Sequence, residues 1–385
     1  MKTEIKEQIE GYADIVKENE ILRKYAVNSS FERGKVLEAI NLIHPKYLYL
    51  KISKIIPETE STTTLRLVSE SGYLPPFQAG QYLNLFVEIN GIRSSRPYSI
   101  SSSPNQTGYY DITIRRVNEG FVSDFLIESL KVGDKLTSTS PTGNFYHNPL
   151  IHGKNLVFIA GGSGITPFMS MIREVTDKVL DRNIHLIYGS RTEDDIVYRD
   201  ELDDRQKSFT NLKVSHIISE PSQGYSGHTG FITGDFIRSE VGSIDDKMIY
   251  VCGPEAMYSF VLKELENLGV PRRKLRVEVF GPPADITKQP GWPEGIAKNT
   301  SFRITLRNGE SIEAKAGEPL MNSLERYNKV LPASCRSGEC SLCRTKLLSG
   351  KVFHPNGVKI RKSDAKYGYI HPCMAYPLED LKLLI

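Results

Sequence analysis

Cys335-Arg-Ser-Gly-Glu-Cys340-Ser-Leu-Cys343 sets three cysteines in the spacing C-x4-C-x2-C, and Cys373 follows after twenty-nine further residues. That is the spacing of a [2Fe–2S] cluster held by four thiolates. A loop that wraps a small anionic cluster must be short and must let its backbone approach the sulfides, a freedom Gly338 supplies. Three ligands come from this loop, and the fourth closes the site from a distant strand. A structural zinc site would show paired C-x2-C units, and only one such unit is present. A cluster of this type works near about −400 mV, carries one electron and makes no bonds itself. The residues ahead of it must therefore hold a source of electrons.

The chain has 385 residues and is 39% apolar, enough for two or three domains with cores of their own. No apolar run reaches about eighteen residues, so no transmembrane helix is expected. Met1-Lys-Thr-Glu-Ile-Lys-Glu lacks the apolar core of a secretory signal. Four of the five cysteines are accounted for as ligands, which leaves no disulfide framework and fits a cytoplasmic protein. A net charge of +3 is too small to suggest nucleic acid as a partner. Residues 301–385, however, carry 14 Lys and Arg against 8 Asp and Glu. Arg336, Arg344, Lys346, Lys351, Lys359, Arg361, Lys362 and Lys366 all lie between the first and last cluster cysteines. Such a face is either merely solvated or steers an electron-accepting protein that is acidic at its docking face.

Residues 1–45 read as a helical extension. Ile5, Ile9, Tyr12 and Val16 repeat on one helical face, Ser29–Glu32 has the form of a capping box, and His44-Pro45 ends the pattern. From Lys46 to about residue 150 apolar residues alternate along Tyr47–Ile56, Thr62–Val68, Gln81–Ile89 and Tyr110–Val117, with turn signals between, as in an antiparallel barrel. Tyr47, Tyr49 and Tyr82 are read as barrel core. Residues 151–283 change register: Asn155–Ala160, Ile184–Tyr188, Leu212–Ile218 and Met248–Cys252 are apolar strands with helices between them, the pattern of a parallel α/β domain. Residues 284–300, rich in Pro, Gly and Lys, read as a linker. Residues 301–385 form the cysteine-bearing domain.

Arg96-Pro97-Tyr98-Ser99 lies on a barrel strand and offers a cation for a phosphate, an aromatic face for a ring and a hydroxyl for a ring nitrogen. Those are the groups a flavin needs. Gly120-Phe121-Val122-Ser123 stands before a helix over Val122–Leu130, a place for a pyrophosphate, although Ser123 also reads as a plain helix cap. Gly161-Gly162-Ser163-Gly164 opens a helix directly after a strand, so that backbone N–H groups close on a dinucleotide phosphate. Cys252-Gly253-Pro254 ends a later strand on the side where open α/β sheets bind ligands.

In this order, R-P-Y-S, G-x-x-S, G-G-S-G-I-T-P and C-G-P, ahead of a plant-type cluster domain, the chain resembles the ferredoxin–NADP reductase family. Within that family it is similar to the multidomain oxygenase-type NAD(P)H reductases. The resemblance covers residues 46–385 and implies an FAD-binding β-barrel, an NAD(P)-binding α/β domain and a β-grasp ferredoxin domain. It implies that Arg96, Pro97, Tyr98 and Ser99 line the isoalloxazine. Thr113, Ile114 and Arg115 would run along the flavin side chain, and Gly120, Phe121, Val122 and Ser123 would hold the FAD pyrophosphate. Gly162, Ser163, Gly164 and Thr166 would contact the nicotinamide nucleotide, with Cys252, Gly253 and Pro254 beside the nicotinamide, while Glu278 and Phe280 would close the flavin pocket. Ser99, Cys252 and Glu278 are thereby the candidate catalytic residues. The Gly-x-x-Ser contact points to FAD rather than FMN.

At the tip of the second strand of the α/β domain, Ser190 and Arg191 offer partners to a 2′-phosphate, whereas Glu193, Asp194 and Asp195 oppose the added charge; the balance favours NADH. The expected activity passes hydride from NAD(P)H to FAD and then single electrons through the cluster to a partner enzyme. Two readings compete with it: a diaphorase that reduces small acceptors, and a redox-sensing subunit docked through its N-terminal helices. Residues 1–45 have no counterpart in the family's minimal unit, and the basic cluster domain contrasts with the acidic free ferredoxins.

Overall fold

The computed structural model describes residues 11–25, 34–117 and 120–385. Residues 1–45 form one unit, with helices α1 (Tyr12–Tyr25) and α2 (Lys35–Ile43). Helix is thus present where the extension predicts it, and α2 ends at His44, ahead of Pro45. Ile5, Ile9 and the Ser29–Glu32 capping box lie outside the described residues. Residues 46–385 form the second unit.

That unit begins with six strands, β1 (Tyr47–Thr59), β2 (Thr62–Ser69), β3 (Tyr82–Ile89), β4 (Ile92–Ser99), β5 (Tyr110–Arg115) and β6 (Lys135–Thr139). They pair in the order β4-β3-β6-β1-β2-β5, antiparallel throughout. The period of two along each strand decides what is inside. Leu48, Leu50 and Ile52 of β1 meet Leu65 and Leu67 of β2, Leu83 and Leu85 of β3, and Ile112 and Ile114 of β5. Each such side chain contributes about 1.5–3 kcal/mol on burial. The same alternation corrects the assignment of two tyrosines: Tyr47 and Tyr49 occupy the odd positions of β1 and are exposed, while Tyr82 is buried.

Next come β7 (Asn155–Gly161), α3 (Ile165–Asp177), β8 (Asn183–Ser190), α4 (Arg199–Ser208), β9 (Leu212–Ile218), β10 (His228–Thr229), α5 (Gly234–Val241), β11 (Met248–Cys252), α6 (Glu255–Asn267) and β12 (Leu275–Glu278). The sheet is parallel, in the order β10-β9-β8-β7-β11-β12. Strand order reverses between β7 and β11, so their carboxyl ends flank a topological switch point. Both strands are apolar on both faces. Leu156, Phe158, Ala160, Tyr250 and Cys252 join the core that includes Ala79 and Phe145 of the barrel region. Val157, Ile159, Ile249 and Val251 face Val261 and Leu265 of α6.

The C-terminal sheet contains β13 (Ser301–Leu306), β14 (Ser311–Lys315), β15 (Thr345–Ser349), β17 (Tyr369–Ile370) and β19 (Leu381–Leu384), ordered β14-β13-β19-β15-β17; β16 (Val352–Phe353) pairs separately with β18 (Tyr376–Pro377). Helix α7 (Leu320–Arg326) lays Leu320 and Leu324 on Ile304, Leu306, Ile312 and Ala314. A short helix α8 (Lys362–Lys366) precedes β17. The expected linker 284–300 is tied down at both ends. Glu255, in the first turn of α6, accepts the Ala284 N–H at 2.8 Å and the Gln289 amide at 2.7 Å. Trp292 sits edge-on to Phe353, with ring centroids 5.3 Å apart.

Candidate functional site

The glycine-rich turn after β7 and the Cys252-Gly253-Pro254 turn after β11 press against each other at the switch point. A Cβ on Gly164 would strike the Cys252 carbonyl and lie 2.7 Å from the Gly253 Cα, so only glycine lets the two turns meet. Gly162, at φ +50°, is capped from the barrel side by Arg115, whose Nη1 would lie 2.7 Å from an added Cβ. Helix α3 starts at Ile165, three residues earlier than Phe168, because Gly162–Gly164 already coils as a short turn. Thr166 is buried and donates to the Ser163 carbonyl at 3.1 Å. This chain segment therefore presents a compact, side-chain-poor surface at the positive end of a helix.

Cys252 stands opposite Glu278 in the β11–β12 pairing. Its thiol is fully buried, and burial first, then the nearby Glu278 carboxylate, pushes it well above the usual thiol range. Cys252 is therefore a neutral, packing thiol and not a nucleophile. Glu278 itself is half-buried with its tip inside: Oε2 is shielded from solvent and has no protein partner. Desolvation, reinforced by the charge of Glu339, raises its carboxyl well above the ordinary range. Ser99, on β4, is likewise buried with an unpartnered Oγ. Tyr98 beside it is half-buried, and burial raises its phenol despite the opposing charge of Arg96. Two shielded polar atoms that lack protein partners, one of them on the strand that carries Arg96 and Tyr98, fit a bound flavin that would satisfy them.

The other barrel residues divide. Ile114 and Val122 place their side chains in the barrel core, and Thr113 Oγ1 bonds to Thr64, Ser101 and Tyr198. Only the backbone of these three is left to face a ligand. Gly120 opens a turn whose Asp124 N–H returns to its carbonyl at 3.0 Å. Ser123 accepts the Val117 N–H at 3.2 Å, and Phe121 is exposed. Phe280 packs half-buried against the core that contains Cys252. At the tip of β8, Ser190 is buried and Arg191 exposed. Arg191 pairs with Asp195 at 3.3 Å, and the same carboxylate receives Arg115 at 3.4 Å. Glu193 is occupied by the N–H and hydroxyl of Ser222.

In the cluster loop the four sulfurs form two pairs. Cys343 and Cys373 have Sγ atoms 3.4 Å apart, and Cys335 shares a hydrogen bond with Cys340 while accepting the N–H groups of Ser337 and Cys340 at 3.5 and 3.4 Å. The hydrogen bond from Cys340 and the two N–H groups hold the Cys335 thiol below its usual range, whereas the neighbouring sulfur pushes Cys340 up. Two close pairs suit two irons with two thiolates each. Gly338 is held at φ +78°, where a Cβ would meet Val358 at 2.9 Å and Met374 at 3.1 Å. Its carbonyl bonds to His371 at 3.1 Å.

The contact between the cluster domain and the barrel has no local sequence signal. Tyr82 bonds to Ser334 at 3.1 Å, and Asn84 donates to the Ala333 carbonyl at 2.9 Å. Ser94 donates to Glu325 at 2.8 Å, and Glu325 pairs with Arg336. Arg336 is consequently buried, which removes it from the exposed basic face where composition had placed it. Arg344 and Lys359 are also paired, with Asp364 at 3.1 Å and Glu339 at 2.6 Å. Strand β4 and the cysteine loop thus meet, and Glu278 at the end of β12 lies in charge range of Glu339 in that loop.

Three family models match in sequence order: an oxidoreductase FAD-binding domain over 47–147, an oxidoreductase NAD-binding domain over 158–263 and a 2Fe-2S iron-sulfur cluster binding domain over 304–378. The chain is 28% identical to the NADH oxidoreductase HCR of Escherichia coli over 87% of this chain and 96% of that protein. It is 29% identical to the glycine betaine monooxygenase reductase subunit of Pseudomonas aeruginosa over 85% and 92%. Phthalate dioxygenase reductase, a modular structure for electron transfer from pyridine nucleotides to [2Fe-2S], superposes with TM-score 0.65 at 27% identity, covering 88% of this chain and 98% of that one.

Proposed function

We propose that this chain, an oxidoreductase of the ferredoxin–NADP reductase type whose FAD-binding, NAD-binding and 2Fe–2S domains follow one another as in phthalate dioxygenase reductase, is the NADH-dependent reductase component of an oxygenase. The carrying observation is the meeting of β4 with the cysteine loop through Ser94, Glu325 and Arg336, with Glu278, the partner of Cys252 in the β11–β12 pairing, in charge range of Glu339 in that loop. When bound, the flavin accepts hydride from the nicotinamide nucleotide and the cluster passes single electrons outward.

The chain's residues bind and orient. Gly162, Ser163, Gly164 and Thr166 hold the nucleotide's phosphates on backbone N–H groups, and Cys252, Gly253 and Pro254 pack beside its nicotinamide. Tyr98 would stack on the flavin ring, Ser99 Oγ would reach its reactive edge, and Glu278 with Phe280 would close the pocket against water. Arg96, the Gly120–Ser123 turn and the backbone of Thr113–Arg115 would hold its phosphates and side chain. Cys335, Cys340, Cys343 and Cys373 would ligate the two irons. Preference for NADH is supported by the pairing of Arg191 with Asp195, because a 2′-phosphate would have to displace that carboxylate and sit beside it. Among the described residues no helix is long and apolar enough to cross a membrane, and the reaction is assigned to the reducing cytoplasm.

The acceptor is proposed to meet the exposed Lys351, Arg361, Lys362 and Lys366 with an acidic face. The test is electron delivery to purified oxygenase components from the same organism, compared with delivery to ferricyanide. Reduction of the oxygenase by NADH through this chain alone supports the reading. Rapid ferricyanide reduction with an oxygenase that stays oxidised favours a diaphorase. A kcat/KM ratio favouring NADPH tenfold or more, about 1.4 kcal/mol, reverses the nucleotide assignment.

A further inference from the structure

The cluster domain meets the flavin barrel through buried charge. Glu325, on α7, is 5% exposed and lies against β4. One carboxylate oxygen accepts the Ser94 hydroxyl at 2.8 Å, and the other is held by the Arg336 guanidinium. Ser94 in turn accepts from Arg96 at 2.8 Å. Arg336 is also 5% exposed, and its backbone lies in the left-handed region at φ +51°. A non-glycine residue stays there only where its surroundings over-determine it. Arg336 directly follows the cluster ligand Cys335, and Arg96 opens the flavin-lining stretch. One carboxylate therefore links a buried guanidinium, that of Arg336, to a half-buried one, that of Arg96, each adjoining a different redox site.

The electrostatics agree with that placement. Burial raises the Glu325 carboxyl, and Arg336, Ser94 and Arg96 pull it back. Burial lowers the Arg336 guanidinium, the charge of Arg96 lowers it further, and Glu325 with the Cys373 and Cys343 sulfurs opposes both. Without the carboxylate, the buried Arg336 would face the half-buried Arg96 with no opposing side-chain charge from α7, beside the Cys343 and Cys373 sulfurs.

We propose that Glu325 is an interdomain positioning residue: it seats the cysteine loop on the flavin strand through Ser94 on one side and Arg336 on the other, and it sets the charge felt by the cluster. The proposal rests on the flavin and cluster sites assigned above and is read entirely inside this chain, so a wrong oxygenase partner leaves it untouched.

The test uses the full-length holoprotein. Glu325→Gln keeps the side chain's shape and an acceptor for one partner but removes the charge. The cluster midpoint potential then rises, because uncompensated cations favour the added electron; a tenfold shift in the reduction equilibrium is about 59 mV. A purely structural role would leave that potential in place. Glu325→Ala removes the contact as well. Transfer from reduced flavin to cluster, followed by anaerobic stopped flow, slows tenfold or more, tryptic cleavage at Lys288 and Lys298 quickens, and flavin reduction by NADH stays within twofold. If Glu325→Ala loses the cluster absorbance, Ser94→Ala is read instead, since Ser94 belongs to the barrel. An unmoved potential in Glu325→Gln overturns the proposal. So does flavin-to-cluster transfer within twofold of wild type in whichever alanine variant keeps its cluster.

Discussion

Glu278 sits where folding and function pull in opposite directions. Its carboxyl is raised by burial, so the folded apoprotein favours the neutral acid, while the unfolded chain ionises near the ordinary value of 4.5. For a carboxyl whose folded value lies above its unfolded one, stability is lost as pH rises through and above that ordinary value. Glu278→Gln should therefore raise the apoprotein's melting temperature at neutral pH, flatten its decline above the ordinary carboxylate range, and lower kcat for flavin reduction. A variant that melts lower than wild type at neutral pH would show that the carboxylate is compensated inside the fold. Gly164 is constrained by backbone on the facing turn, which cannot swing aside as a side chain would. Gly164→Ala should cost about 1–3 kcal/mol or more of overpacking and lower the melting temperature by several degrees. Calorimetry of the purified variant checks it, and an unchanged transition contradicts the packing described.

At the scale of elements, most of the architecture was written in local patterns. Alternation along β1–β3, the continuous apolar strands β7 and β11, and the glycine-rich turn between β7 and α3 each announce themselves within a dozen residues. The cysteine spacing does the same. What stayed hidden depends on contacts across long stretches of chain. Nothing near Glu325 or Arg336 signals that they pair, or that Ser94, more than two hundred residues earlier, completes the contact. Tyr47 and Tyr49 face solvent despite their aromatic character, because the parity of their positions on β1 and not their apolarity sets which face they occupy. The basic face shrinks for a related reason: Arg336, Arg344 and Lys359 are claimed by Glu325, Asp364 and Glu339. Arg361 and Lys362, at the start of α8, stay exposed. Reversing both to Glu should slow delivery to the oxygenase severalfold at low salt and blunt its salt dependence, because exposed charges are screened within about 8 Å at physiological ionic strength. Ferricyanide reduction should not change. Equal salt profiles for the variant and wild type would mean that this face does not steer.

For the whole molecule, residues 1–45 and 46–385 are separate units, and the family models begin only at residue 47. The flavin, nucleotide and cluster sites all fall within the second unit. Removing residues 1–43 should therefore leave FAD content and NADH–ferricyanide activity within twofold while weakening the reaction with the oxygenase. Loss of FAD on truncation would instead make the helices a structural cap on the barrel.

The central claim is a single route, in which electrons leave the flavin only through the cluster on their way to the partner. Cys340→Ser, followed by anaerobic stopped flow with NADH, tests it most directly. Visible absorbance of the cluster should be lost, flavin reduction should proceed within twofold of the wild-type rate, and the oxygenase should stay oxidised. Delivery of electrons to the oxygenase at the wild-type rate by this cluster-deficient protein would contradict the account.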